Sequence, residues 1–320
     1  MDSFQFDRRS LSKTRPPGIS AIMRIKNGAD FLQLSIESHL PYVDEVVACY
    51  NDCTDDTEII LQKLAQKYPN RVRPIKYIPY VHPILSLEHA QTPTESIHSI
   101  ANYYNFALSQ ARYSYATKLD DDHLAIDIHL QPAIDLIRKT INKGKKELFT
   151  FSGVNLIINA EGEIGVYTKE PLVGSGDHLY FPVCEEIYFI QNQRTEIFNF
   201  APPKLPKQYI GLLYFHLKHC KTTLGLHNLN EQARIAYQTQ LNQTDSWMSY
   251  EEFKAPQNIK KMKRKIHPLE YWIRTTPLIQ HTIYQITKRN PPLNICRMAR
   301  MDSDLAAINF EIDVIKKLTA

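Results

Sequence analysis

The sequence predicts an α/β fold in which a mostly parallel sheet is flanked by helices and followed by a helical C-terminal extension. Short apolar runs alternate with amphipathic segments between residues 19 and 125, which is typical of a parallel sheet. Residues from about 226 onward have helical spacing interrupted by prolines. The chain of 320 residues is long enough for one large domain or two smaller ones. We expect a main domain over 1–225 and a helical, basic region over 226–320.

The order of the elements follows from the apolar pattern and its turns. A buried strand at Ile19–Arg24 precedes a turn at Lys26–Gly28, and Pro41 ends the helix that follows. The long connection over 79–94 contains three prolines and is of a length that is often functional. The pattern predicts strands over 19–24, 43–50, 71–78, 115–119, 148–158 and 209–217, and helices over 29–39, 59–68 and 96–111.

Three consecutive carboxylates, Asp120, Asp121 and Asp122, follow the strand that is predicted over 115–119. Such side chains repel one another unless a positive charge lies between them. Mg²⁺ and Mn²⁺ prefer oxygen ligands and commonly bridge a carboxylate to a substrate phosphate. Ligands bind at the carboxyl edge of open α/β sheets, where this tripeptide is expected. The alternative is a solvated acidic turn.

Composition and charge limit the surroundings of the protein. The N-terminus has no apolar signal region, and no stretch of 18 uncharged apolar residues is present, so we expect a cytoplasmic protein. The five cysteines are scattered, which favours free thiols in a reducing compartment. The segment 254–300 carries eleven Lys or Arg and one acidic residue, although the whole chain has a net charge of only +4. This basic segment suits an anionic partner or, alternatively, solvated helix faces.

We interpret the run Lys260–Lys265 as a contact for an anionic membrane surface, which would make the protein peripheral at the inner face of the cytoplasmic membrane. No segment resembles a nucleic-acid-binding module, so we expect no nucleic acid partner.

Four segments that follow one another in the chain carry a resemblance to a known family. They are Ile22–Asn27, Pro41–Val47, Asp52–Thr57 and Lys118–Asp122. Their order and spacing resemble GT-A-fold glycosyltransferases, which are Rossmann-like, and most closely the inverting family 2 type. The resemblance covers about residues 18 to 125. It implies a metal-dependent inverting enzyme that moves a sugar from a nucleotide-sugar donor to a glycan or glycolipid acceptor. The expected setting is bacterial surface polysaccharide or lipooligosaccharide synthesis, and 1–225 would be the catalytic domain.

The resemblance also implies site residues. Mn²⁺ or Mg²⁺ would be held by Asp120 and Asp122, with His216 where some GT-A enzymes have a third ligand. Asp121 would face the sugar or ribose. At Tyr50 and Asn51 the chain departs from the family, which usually has an Asp there that recognises the base. The residues expected to bind the donor are Arg24, Lys26, Asn27, Tyr50, Asn51, Asp52, Lys118, Asp120 and Asp121.

Inverting transfer needs a general base for the acceptor hydroxyl. Asp177, in a glycine-flanked loop, is the best positional match, and the pair Glu185–Glu186 is the alternative. The role of His123 stays open. Lys218 and Lys221 would reach the pyrophosphate if they faced the site, although lysines are expected at the surface.

Two other functions remain open at this point. One is a nucleotidyltransferase on a similar sheet, which the single glycine of the first loop disfavours. The other is a non-catalytic protein that binds an anionic polymer.

Overall fold

The computed structural model describes residues 4–174, 178–191, 196–200, 205–222, 229–241, 246–262 and 301–319, with single positions at 279, 282 and 286. The strands are β1 (Ile19–Ile25), β2 (Glu45–Tyr50), β3 (Val72–Lys76), β4 (Tyr115–Lys118), β5 (His123–Ala125), β6 (Leu148–Ile158), β7 (Ile164–Tyr167), β8 (Leu172–Val173), β9 (Leu179–Pro182), β10 (Ile187–Gln191), β11 (Glu196–Phe200), β12 (Lys207–His219) and β13 (Trp247–Met248).

The α-helices are α1 (Leu32–His39), α2 (Thr57–Lys67), α3 (Leu87–Gln91), α4 (Ile100–Ser109), α5 (Asp127–Asn142), α6 (Glu231–Leu241), α7 (Tyr250–Lys254), α8 (Pro256–Met262), α9 (Met301–Ala307) and α10 (Lys316–Thr319). A 3-10 turn covers Arg8–Ser12 and a π turn covers Glu311–Ile315.

The chain forms two compact units whose segments interleave along the sequence. The first unit contains 1–123, 180–199 and 221–243, and the second contains 124–179, 200–220 and 244–320. The predicted division at residue 225 stays a prediction.

The sheet of the first unit has the strand order β9-β4-β1-β2-β3. The pairs β1–β2, β1–β4 and β2–β3 are parallel, whereas β4–β9 is antiparallel. In β1 only Arg24 is not buried, and every residue of β2 is buried. Parallel strands that are covered on both faces read as such continuous apolar runs. The predicted α/β fold class is therefore confirmed.

Helices of the first unit bury their apolar faces against this sheet. In α4, which is almost wholly buried, the Ser99 hydroxyl caps the first turn by accepting the N–H of Asn102. In α2, Leu61 and Leu64 are buried and the polar face is exposed, as an amphipathic helix requires. Both helices were predicted within a few residues of their bounds.

Glu45 connects three strands and a loop at the amino-terminal edge of the sheet. Its side chain is 1% exposed, and its carboxylate accepts the hydroxyl of Ser20 in β1 at 2.8 Å. The guanidinium of Arg73 in β3 lies 2.8 Å away, and the N–H of Arg112, just before β4, donates at 2.7 Å. This carboxylate therefore accepts hydrogen bonds from β1, from β3 and from the loop before β4.

The second unit is organised around β6, which pairs in parallel with β12 and antiparallel with β7 and β8. Helix α9 is fastened to β12, because the buried carboxylate of Asp304 accepts the N–H of Leu212 at 3.1 Å. Gly211 has φ 110° and faces the same carboxylate, so a side chain would be excluded there. Most described residues after 226 are helical, as the sequence predicts.

Within the residues that the structure describes, no helix combines the length and the apolar character that crossing a lipid bilayer requires.

Replacement of Glu45 by alanine is predicted to lower the free energy of unfolding by about 3–5 kcal/mol, because it removes the carboxylate that pairs with Arg73 and leaves the Ser20 hydroxyl and the Arg112 N–H without their acceptor. Denaturant unfolding measures this change. Glu251→Ala is the control, since Glu251 is 76% exposed and its ion pair with Lys254 at 2.7 Å lies on the surface. Equal effects of the two substitutions would contradict the proposed importance of Glu45.

Candidate active site

The carboxyl ends of β1, β2 and β4 bring three sequence segments to one edge of the first unit. Ile25 pairs with Tyr50, so the residues that follow β1 and β2 leave the sheet side by side. Lys118, the last residue of β4, is in register with Ile22 of β1. The acidic tripeptide thus follows β4 at the edge where open parallel sheets bind ligands.

Side chains predicted to bind the donor fasten the first two loops to each other. Asn27 and Asp52 have φ values of 52° and 46°, a left-handed conformation that Asn and Asp tolerate. The Asn27 side-chain oxygen accepts the N–H of Thr54 at 2.7 Å, and the Lys26 ammonium lies 2.9 Å from Asp52. Gly28 donates its N–H to the hydroxyl of Thr57 at 2.9 Å. These residues therefore shape the edge of the site.

Tyr50 and Asn51 are anchored inside the protein. The Tyr50 hydroxyl donates to Glu58 at 2.8 Å, and burial together with this hydrogen bond raises the pKa of Tyr50 to about 12. The Asn51 amide donates to the carbonyl oxygens of Tyr77 at 2.6 Å and Pro79 at 2.9 Å. Asn51 therefore fixes the start of the long connection after β3.

Cys53 is not an activated nucleophile. Burial raises the pKa of its thiol, and its sulfur accepts the N–H of Asn27 at 3.4 Å. Both observations favour a structural role for this cysteine.

A cleft with basic side chains opens in the first unit beside these loops. Its open space, including solvent at the mouth, is about 320 Å³. The Arg24 guanidinium lies 5.0 Å from the centre of the Tyr104 ring, and the Lys118 ammonium lies 5.3 Å from the same ring. The walls are formed by Arg24, Lys26, Asn51, Ile100, Tyr103 and the segment 81–84 of the long connection. The cleft is suited to an anionic ligand.

The acidic tripeptide is compensated by lysines. The Lys118 ammonium lies 3.6 Å from Asp120. The ammonium of Lys221 lies 3.0 Å from a carboxylate oxygen of Asp121 and 2.9 Å from one of Asp122. Burial raises the pKa of Asp121 to about 6 in spite of the adjacent lysine. Burial alone would lower the pKa of Lys221, but the two carboxylates raise it, so this ammonium stays charged.

For Lys221 the sequence left two alternatives, a contact with the pyrophosphate or the surface position that lysines have by default. Its side chain is only 5% exposed. The next residue, Thr222, donates its N–H to Asp30 at 2.9 Å, and this contact holds the segment against the first loop. The lysine is one hundred positions beyond Asp121, so only the acidic run itself, which requires a counter-charge, could have indicated such a partner.

The donor atoms near the tripeptide fit a divalent cation. A ring nitrogen of the buried His123 lies 3.7 Å from a carboxylate oxygen of Asp120, and a ring nitrogen of His123 also lies within 4.8 Å of a carboxylate oxygen of Asp122. An imidazole beside a carboxylate suits Mn²⁺ in particular, whereas Mg²⁺ prefers oxygen alone. His123, whose role the sequence left open, is therefore a candidate ligand.

The remaining predicted residues are placed as follows. Asp177 lies outside the described residues. Glu185 lies 4.0 Å from Arg8 in the first unit, and Glu186 is exposed. His216 belongs to the second unit, where its Nδ1 is 2.7 Å from the Asn155 side-chain oxygen. The roles proposed for these residues stay predictions.

The carboxyl edge of a parallel sheet, an acidic tripeptide and a basic cleft lie in one unit and suit an anionic ligand. The sequence model of the family described as beta-1,4-N-acetylgalactosaminyltransferase (CgtA) matches residues 2–194. The chain belongs to this family, whose description is that of a glycosyltransferase. The predicted resemblance to GT-A glycosyltransferases is thereby confirmed. The match favours glycosyl transfer over the nucleotidyltransferase and the non-catalytic alternatives.

Solved structures are similar to the chain only at a distance. Glucosyl-3-phosphoglycerate synthase from Mycobacterium tuberculosis is 18% identical over 45% of this chain and 46% of its own, with a TM-score of 0.29. TarS from S. aureus, residues 1–349, is 13% identical over 94% of this chain and 88% of its own, with a TM-score of 0.37. The chain thus spans less than half of the first of these structures. No curated protein matches the sequence.

Replacement of Gly28 by alanine is predicted to reduce sugar transfer by roughly tenfold or more, because an added Cβ would overlap the carboxylate of Asp121. Steady-state kinetics of the transfer reaction measure the change, and circular dichroism confirms folding. Ala29→Ser, which adds one atom at the next position, is the control. Wild-type activity of Gly28→Ala would contradict the need for close contact between this glycine and Asp121.

Proposed function

We propose that the protein is a metal-dependent, inverting transferase that moves N-acetylgalactosamine from a nucleotide sugar to a glycan or glycolipid acceptor. The observation that carries this proposal is the acidic tripeptide 120–122 beside the basic cleft of the same unit. The sugar and the β-1,4 linkage come from the description of the family to which the chain belongs.

The donor would lie in the cleft with its diphosphate towards the basic side chains. Arg24 lines the cleft, and Lys118, which shares the Tyr104 ring with it, ends β4 directly before the tripeptide. Lys26 also lines the cleft. Cations at these positions would hold the phosphates by charge-assisted hydrogen bonds. Asp121 remains the carboxylate that we assign to the sugar or ribose.

Asp120 and Asp122, with His123, would hold the divalent cation. When bound, such a cation would compensate the negative charge of the departing nucleoside diphosphate. His216 was predicted as the third ligand and remains an alternative to His123.

The family name specifies a β-linkage, which an inverting enzyme forms from an α-linked nucleotide sugar. The acceptor hydroxyl oxygen would attack the anomeric carbon while the bond from that carbon to the phosphate oxygen breaks. The base takes the hydroxyl proton, and the nucleoside diphosphate leaves with the bonding electrons. Asp177 is our candidate base, with Glu185 and Glu186 as alternatives.

We infer the acceptor class and the location of the protein from the positive charge of one segment. An acceptor in bacterial surface polysaccharide or lipooligosaccharide synthesis would be anionic or membrane-bound, and the basic run Lys260–Lys265 suits both. The part of this run beyond residue 262 lies outside the described residues.

The experiment that tests this function is a transfer assay with N-acetylgalactosamine nucleotide sugars and a panel of glycan acceptors. Asp120→Asn and Asp122→Asn are each predicted to lower kcat/KM by at least about 100-fold, because a carboxylate ligand of the cation is lost. Excess chelator should abolish wild-type transfer. Asp135→Asn, an exposed change on α5, is the control. Full activity of both variants, or full activity of the wild-type protein in excess chelator, would contradict the proposed role of the metal.

A second prediction concerns the base. Asp177→Asn should lower kcat by about 10²–10⁴-fold with little change in KM for the donor, because general-base catalysis contributes that much. Glu185→Gln and Glu186→Gln are the matched comparisons and should retain transfer. If one of these two loses activity while Asp177→Asn keeps it, the base belongs to the pair.

A further inference from the structure

The buried ammonium of Lys221 contacts a carboxylate that a divalent cation would also use as a ligand. It lies 2.9 Å from a carboxylate oxygen of Asp122, which is itself only 7% exposed. It also lies 3.0 Å from Asp121. Asp122 is one of the proposed metal ligands, so an internal cation and an external one would act on the same carboxylate.

The position of this ammonium is fixed from outside the tripeptide. The N–H and hydroxyl of Thr222 donate to the Asp30 carboxylate at 2.9 and 3.0 Å. On the other side, Gly28 packs so closely against Asp121 that no side chain fits between them. The lysine and its two carboxylates are therefore held between the first loop and the segment that begins at residue 221.

We propose that Lys221 is a built-in counter-ion that holds the acidic tripeptide in place without metal and weakens its affinity for a divalent cation. This inference rests on the metal site of the proposed function. Two cations on one carboxylate repel each other, and in a partly buried site a single charge a few ångströms away changes an equilibrium by more than tenfold. Lys221 would thereby hold the tripeptide in place before a metal binds and keep a bound metal exchangeable.

The test measures the binding of Mn²⁺ alone to the full chain, by electron paramagnetic resonance of the free ion and by calorimetry. Lys221→Met should bind Mn²⁺ at least tenfold more tightly than the wild-type protein, and Lys221→Arg should stay near wild type because it keeps the charge. Lys67→Met is the matched control, since Lys67 also pairs with a carboxylate, that of Glu37 at 2.7 Å, but on the surface. It should leave Mn²⁺ binding unchanged.

The outcomes separate this inference from the proposed function. If Mn²⁺ binds the wild type and folded Lys221→Met equally, or binds the variant more weakly, the inference is wrong while the metal site stands. Asp120→Asn must weaken the binding, which assigns it to the tripeptide. If neither protein binds Mn²⁺ at this site, the inference and the proposed metal site both fail, and the transfer assay decides the activity separately.

A second pair of variants applies if Lys221→Met does not fold. Asp121→Asn removes one of the two carboxylates that contact Lys221 and leaves the lysine paired with Asp122. The double variant Asp121→Asn with Lys221→Met removes both charges of the Asp121–Lys221 ion pair. The double variant should bind Mn²⁺ at least tenfold more tightly than Asp121→Asn alone. Equal or weaker binding would overturn the inference.

Discussion

Charge compensation of the partly buried acidic tripeptide is the constraint on which the rest of the site depends. Three adjacent carboxylates at the end of β4 are stable in a partly buried edge only if cations lie close to them. Lys118 and Lys221 supply two of these cations, and the side chain of Lys221 is buried. The segment that carries Lys221 is consequently tied to the first loop, and the position of that loop is linked to the tripeptide.

The loops at this edge are shaped mainly by contacts with one another. Asn27 and Asp52 have left-handed backbone conformations. The Asn27 side chain accepts a hydrogen bond from Thr54, and the Asp52 side chain forms an ion pair with Lys26. Asn51 anchors the connection that forms one wall of the cleft. Residues predicted to bind the donor therefore also act by positioning, so a substitution there would change the shape of the cleft as well as its contacts. Arg24 and Lys118 differ, because both approach the face of Tyr104 beside the cleft.

The sequence predicted the parallel strands β1 and β2 well because buried parallel strands are mostly apolar runs. The predicted strand ends were less accurate. Val43 and Ile78 are apolar and were included in the predicted strands, but they lie outside β2 and β3. The tripeptide and its edge were predictable from local order. The burial of Lys221 was not, because a lysine is exposed by default and its partners are one hundred positions away. Local patterns contain no information about such a contact.

The same charge argument connects the tripeptide with the cleft. The carboxylates of the tripeptide have lysines as neighbours, and the cleft beside them contributes Arg24 and Lys26. A nucleoside diphosphate adds negative charge at the edge, and a divalent cation adds positive charge. Bound together they change the net charge little, whereas either alone changes it strongly. Electrostatics would therefore favour joint binding of donor and metal at the proposed site, and Lys221 would strengthen this coupling because it would oppose the metal most when no phosphate is present.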